Sequence, residues 1–167
     1  MPAWPTGADF TAATSLPDHA VIVEAEAHHI RRMSLRDFDV RTAGSREVID
    51  SWFVSLKRGG PAYCGVVDGQ PIVAFGFVSF WQGHAEAWMI ADQTLPQHTF
   101  LFHRAVRKGL PWLCIRMQLN RLQMTIHSSN TLAERWSLAL GFDFEGRLRK
   151  YGPDGEDFLM MSVVDGA

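Results

Sequence analysis

The sequence lacks three features that would assign a protein class at once: a strong excess of one charge, a set of paired cysteines and a long apolar run. Its formal net charge is −2 over 167 residues, which argues against a nucleic-acid-binding protein that works through bulk positive charge but leaves local basic patches open. No apolar stretch reaches the roughly 18 residues that span a membrane, and the N-terminus lacks the basic start and apolar run of a signal peptide. We therefore expect a cytoplasmic protein, or a component assembled inside a cell, without a membrane or nucleic-acid partner.

Cysteine and metal chemistry are equally sparse. Cys64 and Cys114 stand far apart, each alone in an apolar segment, so we expect two buried free thiols rather than a disulfide, as in a reducing compartment. The seven histidines show no ligand-like spacing to cysteines, and the adjacent His28 and His29 would diverge on a helix or a strand. We therefore expect no metal site.

The length and composition predict one globular domain. Hydrophobic residues make up 47% of the chain and charged residues 20%, which is typical of soluble globular proteins. Residues 1–18 hold three prolines among small residues, and we interpret them as an irregular N-terminal arm. Residues 19–167 contain no internal repeat and no boundary signal, so they are predicted to form a single domain.

Alternating and helical patterns follow one another in the order β-α-α-β-β-β-α-β-α-β-β. Asp68-Gly69 lies between two β-rich runs and predicts a tight hairpin turn, whereas Gly109 and Pro111 predict a kink or a break in a long helix. Several hairpins and one β-α-β crossover predict an α/β (α+β) fold, with a mixed, mostly antiparallel sheet of six or seven strands and helices on both faces. The predicted strands are 21–23, 62–67, 71–80, 86–91, 121–127, 142–148 and 158–164.

The stretch from Asn130 to Phe142 predicts a short helix with both ends marked in the sequence. Asn130 is a suitable N-cap because its side-chain oxygen can accept hydrogen bonds from the unpaired amides of the first turn. Gly141 can adopt the left-handed conformation that ends a helix. Since apolar residues recur between them at helical spacing and strand patterns lie on both sides, the stretch predicts a strand–helix–strand unit.

The same stretch carries a family resemblance. Asn130-x-x-Ala133-x-x-Trp136-Ser137-x-x-Leu140-Gly141-Phe142 resembles the N-x-x-A-x-x-L-Y-x-x-x-G-F signature of the GNAT superfamily of acyl-CoA-dependent N-acyltransferases. The element order matches that fold from about Val21 to Val164. Within the superfamily, Trp88-Met-Ile-Ala-Asp92 and the following Pro96-Gln-His-Thr-Phe-Leu101 look closest to small GNAT-like proteins encoded by tailed phages and prophages.

The resemblance implies a site for acetyl-CoA, or another acyl-CoA, as cosubstrate. Strands 86–91 and 121–127 would splay apart, so that backbone groups of the first strand pair with the pantetheine arm and the pyrophosphate sits at the N-terminus of the next helix. The acyl group would pass to a primary amine of a small molecule or a peptide. The implied cofactor-binding residues are Met89, Ile90, Ala91, Gln97, His98, Thr99, Arg104 and Asn130.

The resemblance also implies a base and an acid. Glu86 starts the strand beside the splay and is the best-placed general base, although a solvated glutamate at a strand end is the alternative. His127 ends the other splayed strand, as a catalytic or a structural histidine. Ser137 stands where the family often places the tyrosine that protonates the leaving thiolate.

Two departures from the family pattern leave a second hypothesis open. The family's Q/R-x-x-G-x-G/A loop, whose glycines let the backbone approach the pyrophosphate, corresponds to residues 92–99, which contain no glycine. Ser137 is shorter and less acidic than tyrosine. The alternative to an N-acetyltransferase is therefore a catalytically degenerate GNAT-fold binding protein or phage-associated assembly protein; in either case the aromatic content would allow a homodimer.

Overall fold

The fold consists of one seven-stranded sheet with helices on both of its faces. A computed structural model describes residues 3–164. Its strands are β1 (Ala20–Glu24), β2 (Ala62–Val67), β3 (Gln70–Trp81), β4 (His84–Ala91), β5 (Arg121–His127), β6 (Asp143–Leu148) and β7 (Phe158–Val164). Its α-helices are α1 (Gly7–Thr14), α2 (Ala27–Arg32), α3 (Asp37–Ala43), α4 (Arg46–Gly59), α5 (Thr99–Met117) and α6 (Thr131–Ala139), and a 3₁₀ helix spans Leu95–His98.

The strands lie in the order β1-β2-β3-β4-β5-β7-β6. Neighbouring strands are antiparallel except β4 and β5, which are parallel. The predicted fold class and element order are thereby confirmed, with α1 and α3 as additional helices. Asp68 and Gly69 both have positive φ, which is the backbone of the tight hairpin turn that their sequence predicts.

Two apolar layers cover the sheet. On one face, α1 and α5 pack through Phe10 and Leu113 against side chains of β2, β3 and β5. On the other face, Ile49 and Phe53 of α4 pack against small and apolar side chains of β2–β4. Helix α5 continues through Pro111 without a break.

Both cysteines are free thiols, as predicted. Cys64 is buried among the side chains under α4, whereas Cys114 is half-buried on α5. Burial raises the pKa of Cys64 to about 12, since a low-polarity environment disfavours the thiolate. Neither thiol has the depressed pKa of a reactive cysteine.

The N-terminal arm is not irregular throughout, so that part of the prediction for residues 1–18 is wrong. Gly7–Thr14 form helix α1, which begins with a capping box between Thr6 and Asp9. The helix docks on the edge strand β1, where the Thr11 hydroxyl accepts a hydrogen bond from Ile22 N–H at 2.8 Å and lies 3.1 Å from Ile22 C=O. Residues 1 and 2 lie outside the described residues, and the boundary at residue 19 stays a prediction.

We expect Thr11→Val to lower the free energy of unfolding by about 1–3 kcal/mol, because Ile22 N–H loses its partner in a partly buried position. Urea denaturation measures the change. Thr42→Val is the matched control, since the Thr42 hydroxyl bonds only to carbonyls of its own helix. Equal losses for both variants would contradict a role of Thr11 in joining α1 to the sheet.

Candidate functional site

The sheet opens between its two parallel strands. β4 and β5 pair at three positions, His84 with Arg121, Ala85 with Leu122 and Glu86 with Gln123. Beyond Glu86 and Gln123 the strands no longer pair with each other, although β4 stays paired with β3 and β5 with β7. The predicted splay is therefore present, and Glu86 lies at its closed end.

The gap exposes backbone hydrogen-bonding groups. In an antiparallel ladder alternate residues bond to the same neighbour, and Asp92 N–H donates to Ile72 C=O on β3 at 2.9 Å. The β3 register continues without a shift from Val73 to Ser79. Ala87 and Met89 therefore turn their N–H and C=O groups towards β5, where no strand pairs with them. The gap thus offers an edge to which an extended ligand could bond as an added strand.

A cavity of about 480 Å³ runs through this gap. It is lined by side chains from both layers, such as Leu101 and Leu113 of α5 on one face and Phe38 and Trp52 of α3 and α4 on the other. Glu86, Met89, Ile90, His127 and Asn130 line it as well. Because the cavity reaches both faces of the sheet, two ligands could meet at the gap from opposite sides.

Glu86 begins a chain of polar contacts across the closed end. Its half-buried carboxylate accepts a hydrogen bond from Gln123 Nε2 at 2.8 Å, and Gln123 Oε1 accepts one from Arg121 Nε at 2.9 Å. The Arg121 guanidinium makes two bonds to Glu145, at 2.7 and 2.5 Å, and Ser162 donates to the same carboxylate at 2.7 Å. Gln123 thus fixes the Glu86 carboxylate beside the cavity without placing a positive charge against it.

His127 and Trp88 lie on the same face of the sheet as Glu86. His127 Nδ1 accepts a hydrogen bond from Ser129 N–H at 3.2 Å, so its neutral ring carries the proton on Nε2. The ring lies edge-on to Phe38 and Phe158. The buried Trp88 Nε1 has no hydrogen-bond partner among residues 3–164.

Gly76 makes room for the Trp88 ring. It pairs with Trp88 across β3 and β4, and a Cβ at Gly76 would lie 2.6 Å from the indole. The ring can therefore lie over β3, where it makes a T-shaped contact with the Phe53 ring. The indole N–H and the surrounding aromatic rings form a mostly apolar wall with one free donor beside Glu86.

Ser137, which the family resemblance suggested as the acid, lies away from the cavity. It is fully buried, donates its hydroxyl to Glu134 C=O at 2.7 Å and does not line the cavity. A tyrosine that no sequence motif singled out, Tyr151, lies on the Glu86 side. Partial burial and the charge of Glu86 raise the pKa of Tyr151, and its ring packs against Phe158.

The remaining predicted residues divide between the cavity and the core. Asn130 caps α6 by accepting a hydrogen bond from Ala133 N–H at 3.1 Å, and it also lines the cavity. Ala91 is fully buried and does not line it. Trp136 stacks on Phe102 and donates to His103 Nδ1 at 3.1 Å, which ties α6 to α5 beside the gap.

The loop after β4 is closed by its own hydrogen bonds. The buried Asp92 carboxylate accepts bonds from Thr94 N–H at 2.8 Å, from the Thr94 hydroxyl at 2.6 Å and from Ser34 N–H at 2.6 Å. Pro96 has no N–H. The other amides donate within the fold: Gln93 to Ser34 C=O at 2.7 Å, Leu95 to Asp92 C=O at 3.1 Å and Gln97 to Thr94 C=O at 2.9 Å.

The next predicted residues stand at the start of the long helix. His98 ends the 3₁₀ helix and Thr99 begins α5. The Thr99 hydroxyl donates to Pro96 C=O at 2.8 Å, and Arg104 is exposed on the following turn. The backbone N–H of Gln97 already donates to Thr94 C=O. Of the three predicted backbone donors, only the N–H groups of His98 and Thr99 therefore remain as candidates.

Within residues 3–164, no group of three or more His, Cys, Asp and Glu side chains is arranged to hold a metal ion. No helix in the same part of the chain is long and apolar enough to cross a membrane.

Comparison with known proteins identifies the fold. No family model and no curated protein matches the sequence. A GNAT-family acetyltransferase from Bacillus anthracis superposes with a TM-score of 0.68 at 13% identity, over 90% of this chain and 97% of that one. A ribosomal-protein-S5-alanine acetyltransferase from Vibrio fischeri gives 0.61 at 17% identity, over 90% and 95%. An acetyltransferase from Salmonella typhimurium, solved with its cofactor acetyl-CoA, gives 0.61 at 14% identity, over 90% and 96%. The chain therefore has the GNAT fold.

We expect Glu145→Gln to reduce stability at pH 7 and to have little effect near pH 2. Hydrogen bonds from Arg121 and Ser162 lower the pKa of Glu145 to about 2, whereas an unfolded glutamate titrates near 4.3. A group with a lowered folded-state pKa stabilises the fold above its unfolded pKa, and this contribution is lost as the pH falls towards 2.

Thermal unfolding of the Glu145→Gln variant and of the unmodified protein, followed between pH 7 and pH 2, measures how their difference in stability depends on pH. Glu47→Asp is a control for an exposed glutamate outside this chain of contacts. A difference between Glu145→Gln and the unmodified protein that is constant over the whole pH range would rule out the carboxylate as its origin.

Proposed function

We propose that this chain is an N-acyltransferase of the GNAT superfamily, which transfers an acetyl or other acyl group from a thioester of the acetyl-CoA type to a primary amine. The observation that carries the proposal is the half-buried Glu86 carboxylate, which faces a cavity at the closed end of the splay between β4 and β5. Among residues 3–164 no cationic side chain forms an ion pair with this carboxylate, and an unpaired carboxylate is suited to accept a proton.

The gap fits the pantetheine part of such a donor. The arm has amide groups that pair as a strand does, and the unpaired groups of Ala87 and Met89 supply their complement. The N–H groups of these residues could also polarise the thioester carbonyl. The loop after β4 does not fit the pyrophosphate, because its amides from Asp92 to Gln97 are occupied.

The transfer then proceeds through one attack on the thioester. The amine nitrogen forms a C–N bond with the carbonyl carbon, and Glu86 accepts the proton that the nitrogen loses. The C–S bond breaks, its electron pair leaves with sulfur, and the thiolate takes up a proton. Glu86 releases its proton to solvent, so no net proton is consumed. The His127 Nε2–H lies on the same face and supplies a hydrogen-bond donor rather than a second base.

The acceptor pocket favours an amine on an apolar or aromatic body. Phe38, Trp88 and Phe158 supply aromatic faces on the Glu86 side of the sheet. Such faces attract an ammonium group before it is deprotonated, and the free Trp88 N–H can donate to an oxygen of the acceptor. Either a small molecule or the end of a peptide would meet these requirements. We place the reaction in the cytoplasm.

A second candidate is a binding or assembly protein that has kept the fold without the chemistry, as the resemblance to phage-encoded proteins suggests. The closed loop after β4 and the buried Ser137 favour it, since both replace features of active family members. This candidate predicts that a thioester does not change the stability of the protein. It also predicts that the protein accelerates neither the hydrolysis of the thioester nor the transfer of its acyl group.

We expect Glu86→Gln to lower kcat by about 10²- to 10⁴-fold, because the amide cannot accept the proton of the amine. Thiol release from acetyl-pantetheine with a panel of primary amines measures the rate. Glu47→Gln is the matched control, since Glu47 is exposed on α4 and does not line the cavity.

The variant should also lose the rise of kcat/KM with pH that titration of a base produces. Unchanged turnover in Glu86→Gln would exclude this residue as the base. Absence of thiol release for every thioester and amine, together with no thermal shift, would favour the binding protein instead.

A further inference from the structure

We propose that this protein recognises its acyl donor through the pantetheine arm alone and makes no specific contact with the nucleotide half of coenzyme A. The proposal rests on the function proposed above and defines the class of donor: an acylated pantetheine or phosphopantetheine thioester. Such a thioester occurs both in coenzyme A and on carrier proteins, where the same arm is attached to a serine.

The direction of the arm follows from the position of Glu86. The thioester must lie near this carboxylate, at the closed end of the gap, if the carboxylate is to deprotonate the attacking amine. The arm then runs along β4 towards Ala91, and its phosphate end emerges where β4 ends. The groups that could hold a pyrophosphate are therefore those of the loop from Asp92 to His98 and the first turn of α5.

The amides from Asp92 to Gln97 cannot form a phosphate cradle, which leaves the N–H groups at the start of α5 without the neighbouring loop amides that a cradle needs. A backbone site for phosphate requires several neighbouring N–H groups that point away from the fold. Here the five N–H groups between Asp92 and Gln97 each donate to an oxygen of the protein, and Pro96 has none. To free them, the 3₁₀ turn and the contacts of Asp92 would have to break.

The carboxylate of Asp92 takes the place of an external anion. It is 6% exposed and accepts hydrogen bonds from Thr94 and Ser34, as a bound phosphate oxygen would. A pyrophosphate brought to these donors would face this negative charge in a site shielded from water, where repulsion is strong. Asp92 thus stabilises the loop and excludes a second anion.

A chain segment from the other layer reinforces the closure. Leu35 forms an antiparallel bridge with Asp92, and Ser34 both donates to and accepts from the loop. The 34–35 segment therefore lies alongside the end of β4. A nucleotide that followed the strand beyond Ala91 would have to displace it.

A series of truncated donors tests this inference directly. The donors are acetyl-CoA, acetyl-4′-phosphopantetheine and acetyl-pantetheine, compared by kcat/KM at one amine concentration. We expect the three values to agree within about threefold. A preference of 100-fold or more for acetyl-CoA would overturn the inference while leaving the proposed acyltransferase intact. If none of the three thioesters reacts, the proposed function itself fails.

Binding provides a readout that does not depend on turnover. Calorimetry should give similar Kd values for coenzyme A and 4′-phosphopantetheine, and adenosine 3′,5′-bisphosphate should not compete with either. Competition by the bisphosphate at concentrations near the Kd of coenzyme A would contradict the inference, because it would show a nucleotide site.

A pair of variants checks the nearest exposed cation. Arg104→Gln should leave the ratio of the Kd values for coenzyme A and 4′-phosphopantetheine unchanged. The control Arg107→Gln, one turn further along α5, should also leave this ratio unchanged. If Arg104→Gln lowers the affinity for coenzyme A but not for 4′-phosphopantetheine, the inference is contradicted, because this side chain then binds the nucleotide half.

An acyl carrier protein loaded with acetyl-phosphopantetheine distinguishes the two sources of the arm. Reaction with this donor at least as fast as with acetyl-CoA would support the inference and identify the source as protein-bound. If the three free thioesters react at equal rates and the loaded carrier protein does not react, the inference is also supported. The source of the arm is then a free thioester.

Discussion

The structure depends on the point at which two parallel strands stop pairing. β4 and β5 share three residue pairs, and these pairs join a four-stranded half of the sheet to a three-stranded half. The side chains around them continue the connection, since Glu86, Gln123, Arg121 and Glu145 form one chain of hydrogen bonds across the seam. Because the pairing ends there, the same seam supplies free backbone groups, a cavity and a carboxylate beside it. The stability of the seam and the proposed chemistry therefore depend on the same few residues.

The parts of the fold that the sequence predicted are those with local causes. The hairpin at Asp68-Gly69 needs two residues with positive φ, and both have it. Helix α6 begins at the Asn130 cap, and Gly141 follows with φ 91°. Helix α1 also has its capping box in the sequence, but three prolines in the surrounding segment concealed it, and its position depends on Thr11 reaching a strand that follows it in the chain.

The site was harder to predict because its details depend on distant residues. The motif located Ser137 correctly on α6. Its hydroxyl, however, donates to a carbonyl of its own helix, and the spacing of residues in the sequence cannot predict this hydrogen bond. The missing glycines after β4 predicted an unusual loop. That Asp92 organises this loop depends on Ser34, which precedes it by more than fifty residues. Tyr151 and Phe38 likewise reach the Glu86 face only through the tertiary fold.

Helix α1 also limits how copies of this chain can associate. Of the two outer strands of the sheet, β1 is shielded where Thr11 bonds to Ile22 and Glu24 accepts from Gly7 N–H, whereas β6 remains an open edge in the described part of the chain. Two copies could join by pairing β6 with β6 into a continuous sheet. The outer strand of each copy would then again be a covered β1, so such an assembly would end at two molecules and could not grow into a fibre.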